Sequence, residues 1–136
     1  MSFVQAWTLI PSLGNFQLNS RADEPFMTPK RANIFQVKEW FKVLVTTKRT
    51  QTAVMKLGVG QATGDEPEAH CKSDQVLLVV EGELLGRVGN KRFRMKAGDT
   101  VVIPHGVRHR FTNGGKTPVV TFNTYSPPEY PPDEKG

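Results

Sequence analysis

The sequence contains a single cysteine, Cys71, among 136 residues, so no disulfide can form within the chain. A lone thiol fits a reducing compartment, and a cytoplasmic protein is expected. Long apolar runs are also missing. The longest is Val76-Leu77-Leu78-Val79-Val80, far short of the roughly 20 residues that cross a bilayer as a helix. The first residues show no basic segment followed by an apolar stretch, so no secretory leader is expected. Sustained 3.6-residue periodicity is absent, which excludes a helical bundle; only residues 37–41 are expected to hold a single helical turn. There is no glycine-rich phosphate loop, nucleophile elbow or paired-cysteine zinc signature.

What is present is turn chemistry. Twelve glycines and ten prolines in a chain of one-domain length favour many short strands over long helices. Strands are expected over 41–47, 52–59, 68–81, 84–88, 91–95, 100–103, 107–112 and 118–125, separated by turn signals such as Gly89-Asn90 and Asn113-Gly114-Gly115. This spacing predicts an all-β antiparallel sandwich or barrel spanning residues 36–126. Before it, residues 1–35 form an irregular arm punctuated by Pro11, Pro25 and Pro29; its aromatic residues are expected to pack on the barrel or on a partner. After it, residues 127–136 form a proline-rich tail expected to run extended over the surface. The 76–80 run does not alternate, so that strand is expected to be buried on both faces, a sign of a homodimer.

The net charge is +5, yet the basic residues are scattered. In Lys91-Arg92-Phe93-Arg94-Met95-Lys96 the alternation sets Arg92, Arg94 and Lys96 on one face and Phe93 and Met95 on the other. That is a solvated strand with an apolar inner side. No nucleic-acid motif with stacking aromatics accompanies it, so nucleic acid is not an expected partner. Positive potential suits a small anionic ligand better.

Two stretches carry chemistry. The first is Glu68-x-His70-x4-Gln75-x6-Gly82; the second is Gly98-x5-Pro104-x-Gly106-x2-His109-x3-Asn113. Side chains at i and i+2 of a strand share a face, so Glu68 and His70 are expected to point together. Gln75 is out of phase with them and needs a bend within residues 71–74. Beside these stand plainer readings. His105 reads as an exposed turn residue, and Cys71 as a thiol facing away from His70. Arg108 and Arg110 read as outward neighbours of His109, Asn113 as a turn stabiliser and Glu81 as structural. Gly82, Gly98, Pro104 and Gly106 serve the backbone.

The paired stretches resemble those of the cupin superfamily. There, His-x-His is followed by three or four residues, a Glu or Gln, six residues and Gly, and the second stretch ends in a His. The second stretch fits throughout. The first fits at His70, Gln75 and Gly82 and departs at Glu68, which stands in place of the first His. A competing register starts at Gly64 and would place His70 first and Lys72 second; a protonated Lys cannot ligate metal, which would leave the site degenerate. The segment 124–130 also resembles the tail of small bacterial cupins labelled mannose-6-phosphate-isomerase-like.

The resemblance implies a double-stranded β-helix, the jelly-roll cupin barrel. It further implies one divalent transition metal, Mn, Fe, Ni or Zn, held by Glu68, His70, Gln75 and His109. Met55, Leu57, Phe93, Phe111 and Phe122 are the expected pocket lining. The function implied is that of a metal-binding cupin acting on a small polar molecule, as an isomerase or a dioxygenase. The alternative is a non-catalytic cupin that binds or senses a small ligand.

Overall fold

The structure, a computed structural model, describes residues 28–132. By its contacts the chain divides into Met1–Lys30 and Arg31–Gly136, and the second unit carries the fold. The packing expected of the aromatic residues in the arm falls mostly outside the described residues.

Among the described residues, eight strands follow one 3-10 turn, Ile34–Gln36, which is capped by the Asn33 side chain accepting from the Phe35 N–H. The helical turn therefore lies just before the place the sequence suggested, because Asn33 supplies a cap that residues 37–41 lack. The strands are β1 (Phe41–Thr46), β2 (Gln51–Leu57), β3 (Asp74–Glu81), β4 (Glu83–Val88), β5 (Lys91–Lys96), β6 (Thr100–Ile103), β7 (His109–Thr112) and β8 (Val119–Ser126). They form two antiparallel sheets in the orders β1-β2-β8-β3-β6 and β5-β4-β7. The architecture is the all-β jelly roll.

The core lies between the sheets. Met55 and Leu57 of β2, Leu77 and Val79 of β3, and Val119 of β8 come from the larger sheet. Leu84 and Phe111 face them from the smaller one. Each is inward by the two-residue alternation of its strand. Two glycines set the geometry around the site. Gly82 turns β3 into β4 at φ +88°, where a Cβ would stand 2.6 Å from the Pro118 carbonyl oxygen. Gly86 faces inward on β4, and its missing side chain leaves room for the rings of Phe93 and Phe111; a Cβ would meet Phe93 Cε2 at 2.6 Å.

Two expectations need correction. The 76–80 run does alternate in burial: Leu77 and Val79 are fully buried, while Val76 is 37% exposed and Leu78 and Val80 are half-buried. The apolar outer side chains read as a second buried face, although only part of that face is covered by a small cluster built on Val54 and Val120. The tail does not simply run over the surface either. Buried Gln51 clamps it: its side-chain oxygen accepts from the N–H groups of Glu129 and Tyr130, and its Nε2 donates to the Tyr130 carbonyl at 2.7 Å. Ser73 Oγ donates to the Pro127 carbonyl. The prolines exclude a strand, as expected, but side chains on β2 and in the 71–73 bend decide where the tail docks.

Candidate functional site

A cavity of about 260 Å³ opens at one end of the barrel, and His70, Gln75 and His109 meet on its wall. All three are buried, with exposures of 7%, 4% and 8%. His109 is the first residue of β7 and Gln75 lies near the start of β3. His70 comes from the irregular stretch before β3, so the strand expected over 68–81 begins only at Asp74. The bend expected within residues 71–74 lies at 71–73, ahead of the strand and not inside it. Glu68 sits in an isolated antiparallel bridge with His109, exchanging both backbone hydrogen bonds at 3.0 and 2.7 Å. That bridge holds the Glu68–His70 segment against β7.

The hydrogen bonds define what each group presents to the cavity. The imidazole rings of His70 and His109 lie 4.9 Å apart. His109 Nδ1 stands 3.0 Å from the Val107 carbonyl oxygen, which fixes the proton on Nδ1 and leaves Nε2 with a free lone pair. His70 Nδ1 faces the Glu129 carboxylate at 3.1 Å, so it also carries a proton. Its Nε2 is 3.2 Å from Gln75 Oε1. A relay sets the orientation of that amide. Thr121 donates its hydroxyl proton to the Met55 carbonyl, so its oxygen accepts from Asn123 Nδ2 at 2.9 Å. Asn123 Oδ1 in turn accepts from Gln75 Nε2 at 2.9 Å, which turns Gln75 Oε1 toward His70. His70 Nε2 and Gln75 Oε1 thus face each other on the cavity wall.

Burial holds the His109 imidazole below its ordinary value of 6.5 and His70 adds to that, against the opposing pull of the Val107 carbonyl, Glu68 and Glu129. His109 is therefore neutral at pH 7, the form that ligates metal. Burial also raises the Tyr125 and Tyr130 hydroxyls above their usual range, so both remain protonated donors.

The placement of the sequence candidates is uneven. Glu68, His70, Gln75 and His109 all border the cavity, with Met55 and Phe111 beside them. The Glu68 carboxylate, however, turns against Gly64, within 3.4 Å of where a Cβ would be. Accordingly, no group of three His, Cys, Asp or Glu side chains is gathered for a metal among the described residues. Leu57 lies deeper in the core, and Phe93 packs edge-on to Phe111 at 6.5 Å without reaching the cavity. Phe122 lies outside it, because β8 turns Thr121, Asn123 and Tyr125 inward and Phe122 to the opposite side. His105 is exposed and bound to Asp74, whose carboxyl its N–H groups hold below the usual value. Cys71 is exposed.

Five lining residues were not anticipated: Trp40, Phe41, Thr63, Tyr125 and Tyr130. Trp40 precedes β1, Tyr125 ends the inward row of β8, and Tyr130 arrives with the tail next to Glu129, which reaches His70 from behind. The Tyr130 ring meets Phe41 at 5.0 Å, Tyr125 at 5.2 Å and His70 at 6.2 Å. The tail thus builds one wall of the cavity. The sequence signal was the segment 124–130 itself, whose likeness to other cupin tails marks it as part of the fold and not a free end.

A model of the cupin domain matches residues 53–125, more than half of the chain. The chain belongs to the cupin family. It is similar to the uncharacterised protein YrkC of Bacillus subtilis (strain 168), with 29% identity over 128 residues, covering 86% of this chain and 65% of YrkC. It is also similar to oxalate oxidase 1 of Hordeum vulgare, with 38% identity over 72 residues, 45% of this chain and 36% of that protein. The chain therefore spans less than two thirds of either relative's length. Among solved structures, BH2720 of Bacillus halodurans superposes with a TM-score of 0.70 at 27% identity, covering 81% of this chain and 88% of that one. Cupins often bind a metal, and imidazole nitrogens and an amide oxygen such as those of His70, His109 and Gln75 are donor types that suit one.

Proposed function

We propose that this cupin holds one divalent transition metal, Mn, Fe, Ni or Zn, through His70, His109 and Gln75, with Glu68 swinging from Gly64 to complete the set. The observation that carries this reading is the arrangement of the histidines: both Nδ1 atoms are occupied by oxygen partners, while His109 Nε2 is left to the cavity and His70 Nε2 faces Gln75 Oε1. A carboxylate or carbonyl behind each ligand imidazole is how metal-binding histidines are oriented and made more basic. Two imidazoles, one carboxylate and one amide oxygen suit a borderline divalent ion. When bound, the ion supplies Lewis acidity toward a substrate oxygen.

The cavity walls support a small-molecule ligand with an apolar part. Trp40, Phe41, Phe111 and the two tyrosines enclose it, while the tyrosine hydroxyls offer hydrogen bonds to an oxygen-bearing group. Among the described lining residues Glu68 is the one carboxylate and belongs to the proposed ligand set, and Glu129 behind the wall is committed to His70. No free base remains for proton abstraction, since Tyr125 and Tyr130 hold their protons. This supports dioxygenase chemistry over isomerisation. It equally supports the second reading, a non-catalytic binding or sensing cupin. The apolar outer face with Val76 and Val102 exposed supports a homodimer, which sedimentation velocity tests directly.

Calorimetric titration of chelator-treated protein with Mn(II), Fe(II), Ni(II) and Zn(II) tests the site. A one-site isotherm for at least one ion, unchanged in Lys72→Ala and lost in His70→Ala, is expected. A parent protein that refuses all four ions would favour the register that starts at Gly64, in which the site is degenerate. Oxygen consumption with the loaded protein then separates the enzymatic reading from the binding one.

A further inference from the structure

The outer face of the smaller sheet carries a second concavity of about 720 Å³, on the opposite side of β4 from the core. Its floor is set by strand register. Arg87 of β4 pairs directly with Arg92 of β5 and with Arg110 of β7, so three arginines form one row across three strands. The next row reads Arg94, Leu85 and Thr112. Like charges placed directly opposite each other destabilise a sheet. Arg94 has a counter-charge, Glu83 at 3.4 Å. Arg87, Arg92 and Arg110 have no ion-pair partner among the described residues. Arg87 donates only to the Gly89 carbonyl, and Arg110 to the Gly64 carbonyl and Thr112.

The Arg110 and Arg108 bonds have a further consequence. They tie the carbonyls of Gly64 and Pro67 to β7, so the 64–67 loop stands as a wall along the groove. That wall carries Asp65 and Glu66. A long polyanion laid across the arginine row would run into these carboxylates, whereas a compact anion would not. Adjacent strands lie about 4.8 Å apart, so the row is about 10 Å wide, the span of two or three linked phosphates within reach of flexible guanidinium groups. Guanidinium is suited to such ligands because its planar fork bonds two phosphate oxygens at once.

We propose that this groove is a binding site for a compact polyphosphorylated small molecule, held by Arg87, Arg92 and Arg110 and separate from the histidine cavity. Leu85, 37% exposed beside the row, offers an apolar contact to the rest of the ligand.

The test is calorimetric titration of the full chain with sodium tripolyphosphate, alongside Arg87→Gln, Arg92→Gln and, as a control in the β1–β2 turn of the larger sheet, Lys48→Gln. The proposal predicts saturable binding that weakens about tenfold or more in Arg87→Gln, at the centre of the row, and severalfold in Arg92→Gln. Lys48→Gln should stay within about twofold of the parent, because an exposed charge on the other sheet acts only through screened solvent. All three side chains are exposed, so the variants should fold; parental melting temperatures would confirm it. Absence of binding, or binding indifferent to the arginine variants, overturns the proposal. A 20-nucleotide single-stranded DNA binding far more tightly than tripolyphosphate, with a steep salt dependence through the same arginines, would also overturn it in favour of a nucleic-acid surface.

Discussion

At the scale of the residue, the behaviour of the cavity depends on which atom of each side chain faces inward. Glu129 fixes His70 through Nδ1 at 3.1 Å, so Glu129→Gln should leave the fold intact and weaken metal binding about tenfold or more, measured by competition with a chelator. The Thr121–Asn123–Gln75 relay is buried, with Asn123 fully enclosed. Asn123→Leu leaves the Gln75 amide and the Thr121 hydroxyl short of a partner and should cost about 1–3 kcal/mol in urea unfolding. In metal-free protein, His109 should titrate below 6.5 by NMR, because burial disfavours its charged form. The sign follows from linkage. The unfolded chain binds the proton first, so this group's stabilising contribution is complete above pH 6.5 and declines as pH falls toward the folded value. A His109 resonance titrating above 6.5 would contradict the buried, neutral assignment.

At the scale of the element, strand register and close approaches place these atoms. Gly86 is the clearest case: Gly86→Ala drives a methyl into the Phe93 and Phe111 rings and should destabilise by about 1–3 kcal/mol. A melting temperature equal to the parent's would show that the two rings have room to yield. The same scale explains what the sequence disclosed and what it hid. His70, Gln75, Gly82 and His109 were legible because their spacing is tied to a hairpin and a turn that must close. β8 was misread in one respect. Its inner face carries Thr121, Asn123 and Tyr125, hydrogen-bonded inward, while Val120 and Phe122 point outward. A rule that sends apolar side chains inside therefore selects the wrong half of the strand. The bend at 71–73 was legible from the phase of Gln75, but the irregular path at 68–70 was hidden, since nothing local distinguishes a bridge with β7 from a continuing strand.

At the scale of the whole molecule, the jelly roll brings together segments far apart in sequence: the end of the 68–73 bend, β3, β7, β8 and the tail. The fold was legible from turn spacing and the two histidine-bearing stretches. The contribution of the tail was not, because docking by Gln51, 79 residues away in sequence on the neighbouring strand β2, leaves no local pattern. The account joins this architecture to a single claim, that the barrel closes His70, Gln75, His109 and Glu68 around one metal ion. Elemental analysis of protein purified without tag or chelator, beside His109→Ala and Glu68→Ala, tests it most directly. The account predicts about one equivalent of a transition metal in the parent and its loss in His109→Ala, with Glu68→Ala holding it more weakly. Full occupancy retained in His109→Ala, or a parent protein that refuses Mn, Fe, Ni and Zn alike, would contradict it.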